Sequence, residues 1–548
     1  MDFRKKVVYQ AYPKSFNDSN GDGIGDLRGI IEKLPYLKEL GVDVVWFNPF
    51  FPSPQNDNGY DISDYKAIDP MFGTMADFEE LVAKMKELDM EIMLDMVLNH
   101  TSTEHEWFQK ALAGDQKYQD YYILRPAQTD GSLPTNWESK FGGPAWAEFG
   151  DTDLYYMHLF DKTQADLNWR NTAVRKEAAS IVNFWIDKGV TGFRFDVINL
   201  IGKDEELVDA DDGVGKYLYT DKPIVHEYLR ELNERTFGRI NSITVGEMSS
   251  TSIENCILYT RPDRHELSMT FNFHHLKVDY ENGEKWSLTP YRFDELTNLL
   301  HTWNEEMSEG NGWNAWFWNN HDQPRALTRF MDDDKYRVES AKLLATAIHL
   351  NRGTPFVYQG EEIGMTDPYF EELSEYRDVE SLNYYEIMRE QGKSHEEAMA
   401  IIKSKSRDNS RTPMQWSGEE GAGFTTGTPW LPIAKNYVEI NVEKELAEGS
   451  IFKYYQELIR LRKENDTIAF GDYTAYARNH EDVYAFVRRH EDEEWLILNN
   501  FKGHDTTIEL EDKWLEAQVA LDNYDNQVAI SKELQLRPFE AVALQLKK

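Results

Sequence analysis

Short β-rich runs alternate with amphipathic helical stretches over most of the chain. Such alternation is typical of βα units arranged around a parallel sheet. Eight units predict a closed (β/α)8 TIM barrel, an α/β fold. The eight candidate strands are VVYQAY from Val7, VDVVWF from Val42, EIMLDMV from Glu91, GFRFDVI from Gly192, SITVGE from Ser242, LSMTFNF from Leu267, AWFWNN from Ala315 and TPFVYQG from Thr354.

Two stretches depart from this pattern. Residues 100–168 are far longer than a βα loop needs and are rich in Trp, Gly, Pro and polar residues, which predicts a subdomain inserted after the third strand. After about Glu464 the chain consists of short alternating segments such as VYAFVRRH from Val483, which predicts a C-terminal antiparallel β-sandwich domain. The predicted domains are a barrel (1–99 and 169–464), an insert (100–168) and a C-terminal β-domain (465–548).

Composition narrows the possible partners. The 548 residues carry a formal net charge of -38, which argues against binding to nucleic acid or to an anionic membrane. The chain has no run of about 18 apolar residues, the length that a membrane span requires. A single cysteine, Cys256, fits a reducing compartment. We therefore expect a cytoplasmic enzyme with a small-molecule substrate, and the oligomeric state stays open.

Acidic residues follow several of the predicted strands. Catalytic groups of a TIM barrel lie at the C-terminal ends of its strands. Arg194 and Asp196 share one side of the fourth strand through its period of two, and a neighbouring arginine favours the ionised carboxylate. Glu247 ends the fifth strand and Asp322 follows the seventh. A lone carboxylate is more often a capping or ion-pair residue, but three acids at one barrel mouth are costly unless function requires them.

Five motifs resemble the α-amylase superfamily, glycoside hydrolase family 13. They are DMVLNH from Asp95, QADLNW from Gln164, GFRFDVINL from Gly192, TVGEM from Thr244 and NNHDQPR from Asn319. The resemblance implies a retaining hydrolase with no organic cofactor, in which Asp196 is the nucleophile, Glu247 the acid/base and Asp322 the third essential carboxylate. It also implies that His100 and His321 bind sugar hydroxyls and that Arg194 orients the nucleophile.

Two further segments resemble the exo-acting α-glucosidase branch of this family. In DNGYD from Asp57, the resemblance implies that Tyr60 stacks on the terminal glucose and that Asp57 binds its outer hydroxyls beside Arg407 of SRDNSRTP. A bridge from Asp57 to Arg407 would close the pocket around one glucose. Arg411 is the alternative partner, and a surface ion pair is the simpler explanation of either arginine. By the same resemblance, Phe160 and Gln164 form the pocket wall.

A loop after the first strand spaces oxygen donors at alternate positions. It runs DSNGDGIGD from Asp18, with glycine at the sharp turn, as in the first part of an EF-hand loop. It is not an EF-hand, because position twelve is Gly29 in place of glutamate. The matching loop of related α-glucosidases binds Ca²⁺, so the resemblance implies a structural Ca²⁺ here, against a polar turn without metal. The implied ligands are Asp18, Asn20, Asp22, Asp26 and the carbonyl of Ile24.

Two sets of residues indicate different substrates. Val197, after the nucleophile, resembles the residue that accompanies preference for α-1,6 bonds, which would indicate an oligo-1,6-glucosidase acting on isomalto-oligosaccharides. Longer matches, including GEMSSTSIENC from Gly246 and YRDVESLN from Tyr376, resemble the members that hydrolyse α,α-trehalose 6-phosphate to glucose and glucose 6-phosphate.

A phosphate would need cations in this acidic chain, and several basic residues follow the fourth and sixth strands. Charge-assisted hydrogen bonds from them would discriminate a phosphorylated substrate from its neutral analogue. Solvated charges that balance acidic loops are the alternative. Phosphotrehalose hydrolysis is the leading hypothesis, and an α-1,6-glucosidase is its nearest rival. Transglycosylation or sugar isomerisation and a non-catalytic binding subunit are the further alternatives. The candidate phosphate ligands are Lys203, His275, Lys277 and Lys285.

Overall fold

The computed structural model describes residues 2–547, and its centre is a barrel of eight parallel strands. Taken in sequence order as strands one to eight, their order in the sheet is 6-5-4-3-2-1-8-7. A parallel bridge between Thr270 and Asn314 joins strands six and seven and closes the ring. The eight-strand prediction is confirmed. The strands are Val8–Ala11, Val44–Phe47, Glu91–Met96, Gly192–Phe195, Ile243–Glu247, Met269–Phe271, Ala315–Trp316 and Thr354–Tyr358.

Helices surround the barrel, and their ends follow local sequence signals. Met75–Glu87 begins with a capping box between Thr74 and Asp77, and Leu27–Leu40 ends at Gly41, whose φ of 98° suits glycine. Among residues 2–547, none of the helices has both the length and the apolar character needed to cross a bilayer. The α-helices from the barrel to the C-terminal domain are Leu27–Leu40, Met75–Glu87, Thr172–Asp187, Lys216–Tyr219, Ile224–Arg235, Ile253–Thr260, Phe293–Glu309, Ala326–Phe330, Arg337–His349, Val379–Glu390, His395–Lys405, Asp408–Arg411, Val442–Glu448, Ile451–Glu464 and Asp466–Phe470.

The segment between the third and fourth strands has its own sheet and core. Leu154–Met157 is the middle of a three-stranded antiparallel sheet with Leu124–Pro126 and Trp146–Glu148, and His100–Ser102 pairs with Gln164–Asp166. Two helices, Glu106–Leu112 and Gln116–Gln119, precede this sheet. The core of the insert includes Val197, the residue after the predicted nucleophile. The insert is therefore packed directly onto the catalytic end of the barrel.

The C-terminal region is antiparallel, as predicted. A five-stranded sheet and a two-stranded sheet enclose a core that includes Leu496, Trp514 and Leu534. The larger sheet runs Asp472–Tyr476, Val483–His490, Glu493–Asn500, Ala541–Lys547 and Gln518–Asp522 in spatial order, and the smaller pairs Thr506–Glu509 with Glu533–Leu536.

Candidate active site

A cavity of about 200 Å³ opens at the C-terminal ends of the barrel strands. It brings together the three predicted catalytic acids, six of the predicted glucose-binding residues and a group of cations, whereas Arg194, His321 and Arg411 do not line it. Its lining residues are Asp57, Tyr60, His100, Lys140, Phe141, Phe160, Gln164, Asp196, Val197, Glu247, Phe273, Lys277, Tyr280, Lys285, Asp322, Gln323, Glu380 and Arg407.

Arg194 lies beneath the first two acids and contacts both. It donates from Nη1 to Asp196 Oδ1 at 2.6 Å, and its Nη2 forms an ion pair with Glu247. The same Nη1 donates to Asp95 Oδ1 at 2.8 Å, and burial raises the pKa of Asp95 against the opposing charge of Arg194. One buried guanidinium thus contacts two of the predicted catalytic carboxyl groups and holds them close together.

The backbone after Asp196, the predicted nucleophile, is strained. Val197 has a φ of 37°, in the left-handed region that a β-branched residue rarely adopts. Its side chain is only 4% exposed, so packing in the insert's core holds this conformation. Strained backbone at a reactive group is typical of sites that fix one side chain in place.

Two arginines flank the third acid. Arg411 Nη2 donates to Asp322 Oδ1 at 2.9 Å, and Arg407 Nη1 reaches the same oxygen at 3.3 Å. Burial opposes ionisation of Asp322, but the neighbouring His321 ring and the two guanidinium groups hold its pKa below the ordinary value. Asp322 is therefore a carboxylate across the physiological pH range.

The end of the cavity that is predicted to bind glucose is closed by an ion pair. Arg407 Nη2 donates to Asp57 Oδ1 at 2.9 Å, and Gln164 Nε2 donates to the other oxygen of Asp57 at 3.0 Å. Burial raises the pKa of Asp57 to about 7, against the charge of Arg407. Arg411, the alternative partner, contacts Asp322 instead. Asp378 also accepts from Arg407, at 2.6 Å, and anchors it from outside the cavity.

The two predicted histidines are buried beside an aromatic ring. His321 stacks on Tyr60 with ring centroids 5.1 Å apart, and Phe160 lies 5.3 Å from the His100 ring. Burial lowers the pKa of both histidines below the ordinary value, so the neutral imidazoles can exchange hydrogen bonds with hydroxyl groups. Tyr60 donates to Asp95 at 2.8 Å, which fixes the ring at the base of the pocket.

One side of the cavity carries the predicted cations Lys277 and Lys285 together with Lys140, which was not predicted. Lys140, from the insert, is half-buried, and desolvation together with Lys216 and Lys277 lowers its pKa to about 7. Burial and Lys216 lower the pKa of Lys277 to about 8. Within residues 2–547, neither Lys140 nor Lys277 forms an ion pair with a carboxylate, whereas Lys285 pairs with Glu380 at 2.7 Å. An anion at this position would relieve the repulsion between the lysines.

Two of the candidate phosphate ligands lie elsewhere. Lys203 Nζ pairs with Asp166 at 2.7 Å and donates to Asn99, while His275 Nε2 is bonded to the carbonyl of Phe317 at 2.8 Å. Burial lowers the pKa of His275 to about 4, so this ring carries no charge at neutral pH. Because neither side chain lines the cavity, the structure does not support a phosphate role for Lys203 or His275.

The candidate metal loop is a chain of hydrogen-bonded turns. Asp18 Oδ1 accepts from the amides of Asn20 and Gly21 at 3.1 and 2.9 Å, and Asp22 Oδ1 accepts from Ile24 N at 2.9 Å. Asp26 caps the helix Leu27–Leu40 by accepting from Gly29 N. Among the residues that the structure describes, no group of three or more His, Cys, Asp or Glu side chains is arranged to hold a metal ion.

Several cavity residues are absent from the predicted set. Lys140 and Phe141 come from the insert, where irregular sequence gives no strand register to place them. Glu380 lies in YRDVESLN, one of the segments that carry the resemblance, and Tyr280 lies after the sixth strand. Lone lysines in a loop carry no local signal, so only the folded insert reveals that Lys140 faces the cavity.

Comparison with known proteins gives full-length matches. The family model "Alpha amylase, catalytic domain" matches residues 10–471, and "Alpha-amylase SusG C-terminal domain" matches residues 483–543. The chain is 52% identical over 553 residues to trehalose-6-phosphate hydrolase from Bacillus subtilis (strain 168), covering 100% of this chain and 98% of that protein. It is 46% identical over 555 residues to an oligo-1,6-glucosidase from Bacillus cereus, covering 100% and 99%. A crystal structure of mutant trehalose-6-phosphate hydrolase from Bacillus licheniformis has a TM-score of 0.97 at 52% identity and covers 100% of both chains.

Proposed function

The chain belongs to the α-amylase family of glycoside hydrolases, and we propose that it hydrolyses α,α-trehalose 6-phosphate to glucose and glucose 6-phosphate with retention of configuration. The observation that carries the substrate assignment is the pair of lysines, Lys140 and Lys277, which face the cavity without carboxylate partners. A phosphate dianion is the ligand class that such a pair stabilises best. The relatives that match at 52% and 48% identity over nearly the full chain, both trehalose-6-phosphate hydrolases, support the same assignment.

The first half-reaction uses the two carboxylates that Arg194 holds. The Asp196 carboxylate attacks the anomeric carbon of the unphosphorylated glucose, and the bond from that carbon to the bridging oxygen breaks. Glu247 gives its proton to the bridging oxygen, so glucose 6-phosphate leaves as a neutral alcohol at that position. Arg194 contacts both acids and holds their side chains in place during this step.

The second half-reaction returns the enzyme to its starting state. Glu247, now a carboxylate, removes a proton from water, and the water oxygen attacks the anomeric carbon. The bond to Asp196 breaks, which releases glucose and restores both side chains. Asp322, kept ionised by Arg407 and Arg411, favours the positive charge that develops on the sugar ring in both steps. The family's hydrolytic chemistry needs no organic cofactor.

Each end of the cavity binds one half of the substrate. The Asp57–Arg407 pair closes the end that takes the unphosphorylated glucose, which leaves no room for a longer chain there. The phosphate of the leaving glucose binds to the lysines on the other side, Lys140, Lys277 and Lys285. Phosphate binding favours the protonated form of both unpaired lysines and raises their lowered pKa values.

The test compares kcat/KM on trehalose 6-phosphate, trehalose and isomaltose. We expect the phosphorylated disaccharide to exceed trehalose by at least 100-fold, about 2.7 kcal/mol for contacts to charged groups. Comparable efficiency on all three would overturn the phosphate assignment. Loss of the preference in the double variant Lys140→Met, Lys277→Met, with activity retained on a nitrophenyl glucoside, would support it.

An α-1,6-glucosidase is the second candidate, and Val197 together with the 46% identity to the Bacillus cereus enzyme favours it. This function uses the same glucose pocket and differs only on the leaving-group side. It predicts efficient hydrolysis of isomaltose that the double lysine substitution does not diminish. Such a result would replace the phosphotrehalose proposal.

A bound calcium ion is a separate proposal. Its support is the donor set of the loop 18–26, which offers oxygen atoms of Asp18, Asn20, Asp22, Asp26 and the Ile24 carbonyl, the ligand type that Ca²⁺ prefers. We expect one calcium per chain by elemental analysis and a lower melting temperature after chelation. The variant Asp22→Ala should lose both effects. A metal-free protein whose melting temperature ignores chelator and added calcium would overturn the proposal.

A cytoplasmic location is proposed on similar grounds. Cys256 is buried and unpaired, and burial raises the pKa of its thiol to about 12, so it is unreactive and structural. A chain without a disulfide suits a reducing compartment. Cell fractionation that recovered the activity outside the cytoplasm would contradict this.

A further inference from the structure

A tight turn forms the wall of the cavity that carries Lys277. The amide of Tyr280 donates to the carbonyl of Lys277 at 3.1 Å, so these two residues occupy the first and last positions of the turn, and both line the cavity. The two central residues, Val278 and Asp279, are 0% and 5% exposed. The turn therefore presents its ends to the substrate and is anchored to the protein through its middle.

The anchor is a buried ion cluster around Asp279. Arg329 binds this carboxylate with two hydrogen bonds, from Nη2 to Oδ1 at 2.7 Å and from Nε to Oδ2 at 2.8 Å. Lys405 Nζ donates to Oδ2 at 2.6 Å and to the Asp279 carbonyl at 3.2 Å. Burial opposes ionisation, but these two cations keep the pKa of Asp279 below its ordinary value. Bidentate bonding of this kind fixes orientation as well as position.

The same cluster reaches the glucose side of the cavity. Arg329 Nη1 donates to Gln323 Oε1 at 2.9 Å, and Gln323 lines the cavity directly after Asp322. Arg329 Nη2 also donates to the carbonyl of Leu276, just before the turn, at 2.5 Å. Lys405 ends the helix His395–Lys405, two residues before Arg407. One cluster thus connects the turn to residues beside the third catalytic acid.

We propose that Asp279, Arg329 and Lys405 are positioning residues that set the leaving-group side of the site, and so the preference for a phosphorylated substrate. None of the three lines the cavity, so they act through Lys277 and Tyr280. A lysine on a mobile turn would have to be ordered by each substrate molecule, and the cluster removes that cost in advance. This inference rests on the proposed function.

The test is Asp279→Asn, which removes the charge and keeps the size of the side chain. We expect KM for trehalose 6-phosphate to rise about 10-fold with kcat changed less than twofold, because phosphate binding contributes equally before and in the transition state. Hydrolysis of p-nitrophenyl α-glucoside, which has no phosphate, should change less than twofold. Arg329→Lys keeps the charge, loses the bidentate geometry and should raise the same KM to an intermediate extent.

Glu266→Gln is the matched control, because Glu266 is another buried carboxylate, paired with His226 and Arg264 away from the cavity. It should not alter the ratio of the two substrates' kcat/KM values. Equal losses on both substrates in Asp279→Asn, or an unchanged KM, would overturn the inference. If Asp279→Asn does not fold, Arg329→Lys and Lys405→Met decide by the same ratio. Failure of the wild type to hydrolyse trehalose 6-phosphate would instead refute the proposed function.

Discussion

Lys277→Met is the sharpest test of the cationic side of the cavity. The change keeps much of the apolar stem and removes one charge-assisted contact to phosphate, worth about 1.5 to 3 kcal/mol. At 1.4 kcal/mol per factor of ten, KM for trehalose 6-phosphate should rise about 10- to 100-fold. Lys285→Gln is the control, because Lys285 already pairs with Glu380 at 2.7 Å and should contribute less.

The pH dependence makes this prediction more specific. In the wild type, kcat/KM for trehalose 6-phosphate should fall as pH rises through about 7 to 8, because Lys140 and Lys277 lose their protons there. Removing Lys277 removes a positive charge that lowers the pKa of Lys140, so the remaining activity of Lys277→Met should fall at a higher pH.

Steady-state kinetics from pH 6 to 9 on trehalose 6-phosphate and on p-nitrophenyl α-glucoside would measure both effects. With the neutral glucoside, Lys277→Met should neither raise KM nor shift the alkaline limb of the pH profile. The reasoning fails if Lys277→Met impairs both substrates alike, or if KM for the phosphorylated substrate changes less than threefold. An alkaline limb that stays in place would show that the two lysines do not interact.

Three further predictions follow from the same site. Glu247→Gln should lower kcat on trehalose 6-phosphate at least 1,000-fold. On p-nitrophenyl α-glucoside it should retain a burst of nitrophenol in stopped-flow measurements, because that leaving group needs no proton. A burst lost as completely as in Asp196→Asn would contradict the roles assigned. Asp57→Ala opens the ion pair with Arg407 and should lower kcat/KM on both substrates by about 100-fold, about 2.7 kcal/mol; a loss on the phosphorylated substrate alone would argue against a shared glucose pocket. Lys140→Met should stabilise the free enzyme at pH 6 by about 1 to 3 kcal/mol, because burial lowers the pKa of Lys140 and the protonated lysine therefore costs stability at low pH. This cost should decline as pH rises from about 7 towards the ordinary lysine pKa of 10.5. An unchanged melting temperature at pH 6 in calorimetry would refute the prediction.

The barrel and its acids could be predicted because their signals are local. Strand composition locates the ends of the strands. Asp196 and Glu247 lie at such ends, and Asp322 lies in the loop after the seventh strand, Ala315–Trp316. The predicted phosphate ligands could not be placed in this way, because distant residues decide whether they reach the cavity. Lys203 has a suitable position in sequence, but Asp166 on a distant strand neutralises it, and His275 turns inward to the carbonyl of Phe317.

Long-range partners decide the other residues that the sequence left open. Whether Arg407 or Arg411 meets Asp57 depends on Asp378, which orients Arg407 from a segment that has no strand register. Lys140 reaches the cavity only because the insert folds over the barrel mouth. Such pairings join residues far apart in the chain, and periodicity along the chain holds no information about them.

Val197 links the evolution of the insert to the chemistry of the barrel. Its side chain belongs to the insert's core, while its backbone, at φ 37°, fixes the direction in which the preceding carboxylate leaves its strand. A graft of the insert from a relative would have to match the volume around this one side chain, or the turn would relax and carry the nucleophile with it. The packing around Val197 therefore limits how the insert can change to accept new leaving groups. Tolerated variation should concentrate in the part of the insert that does not contact Val197.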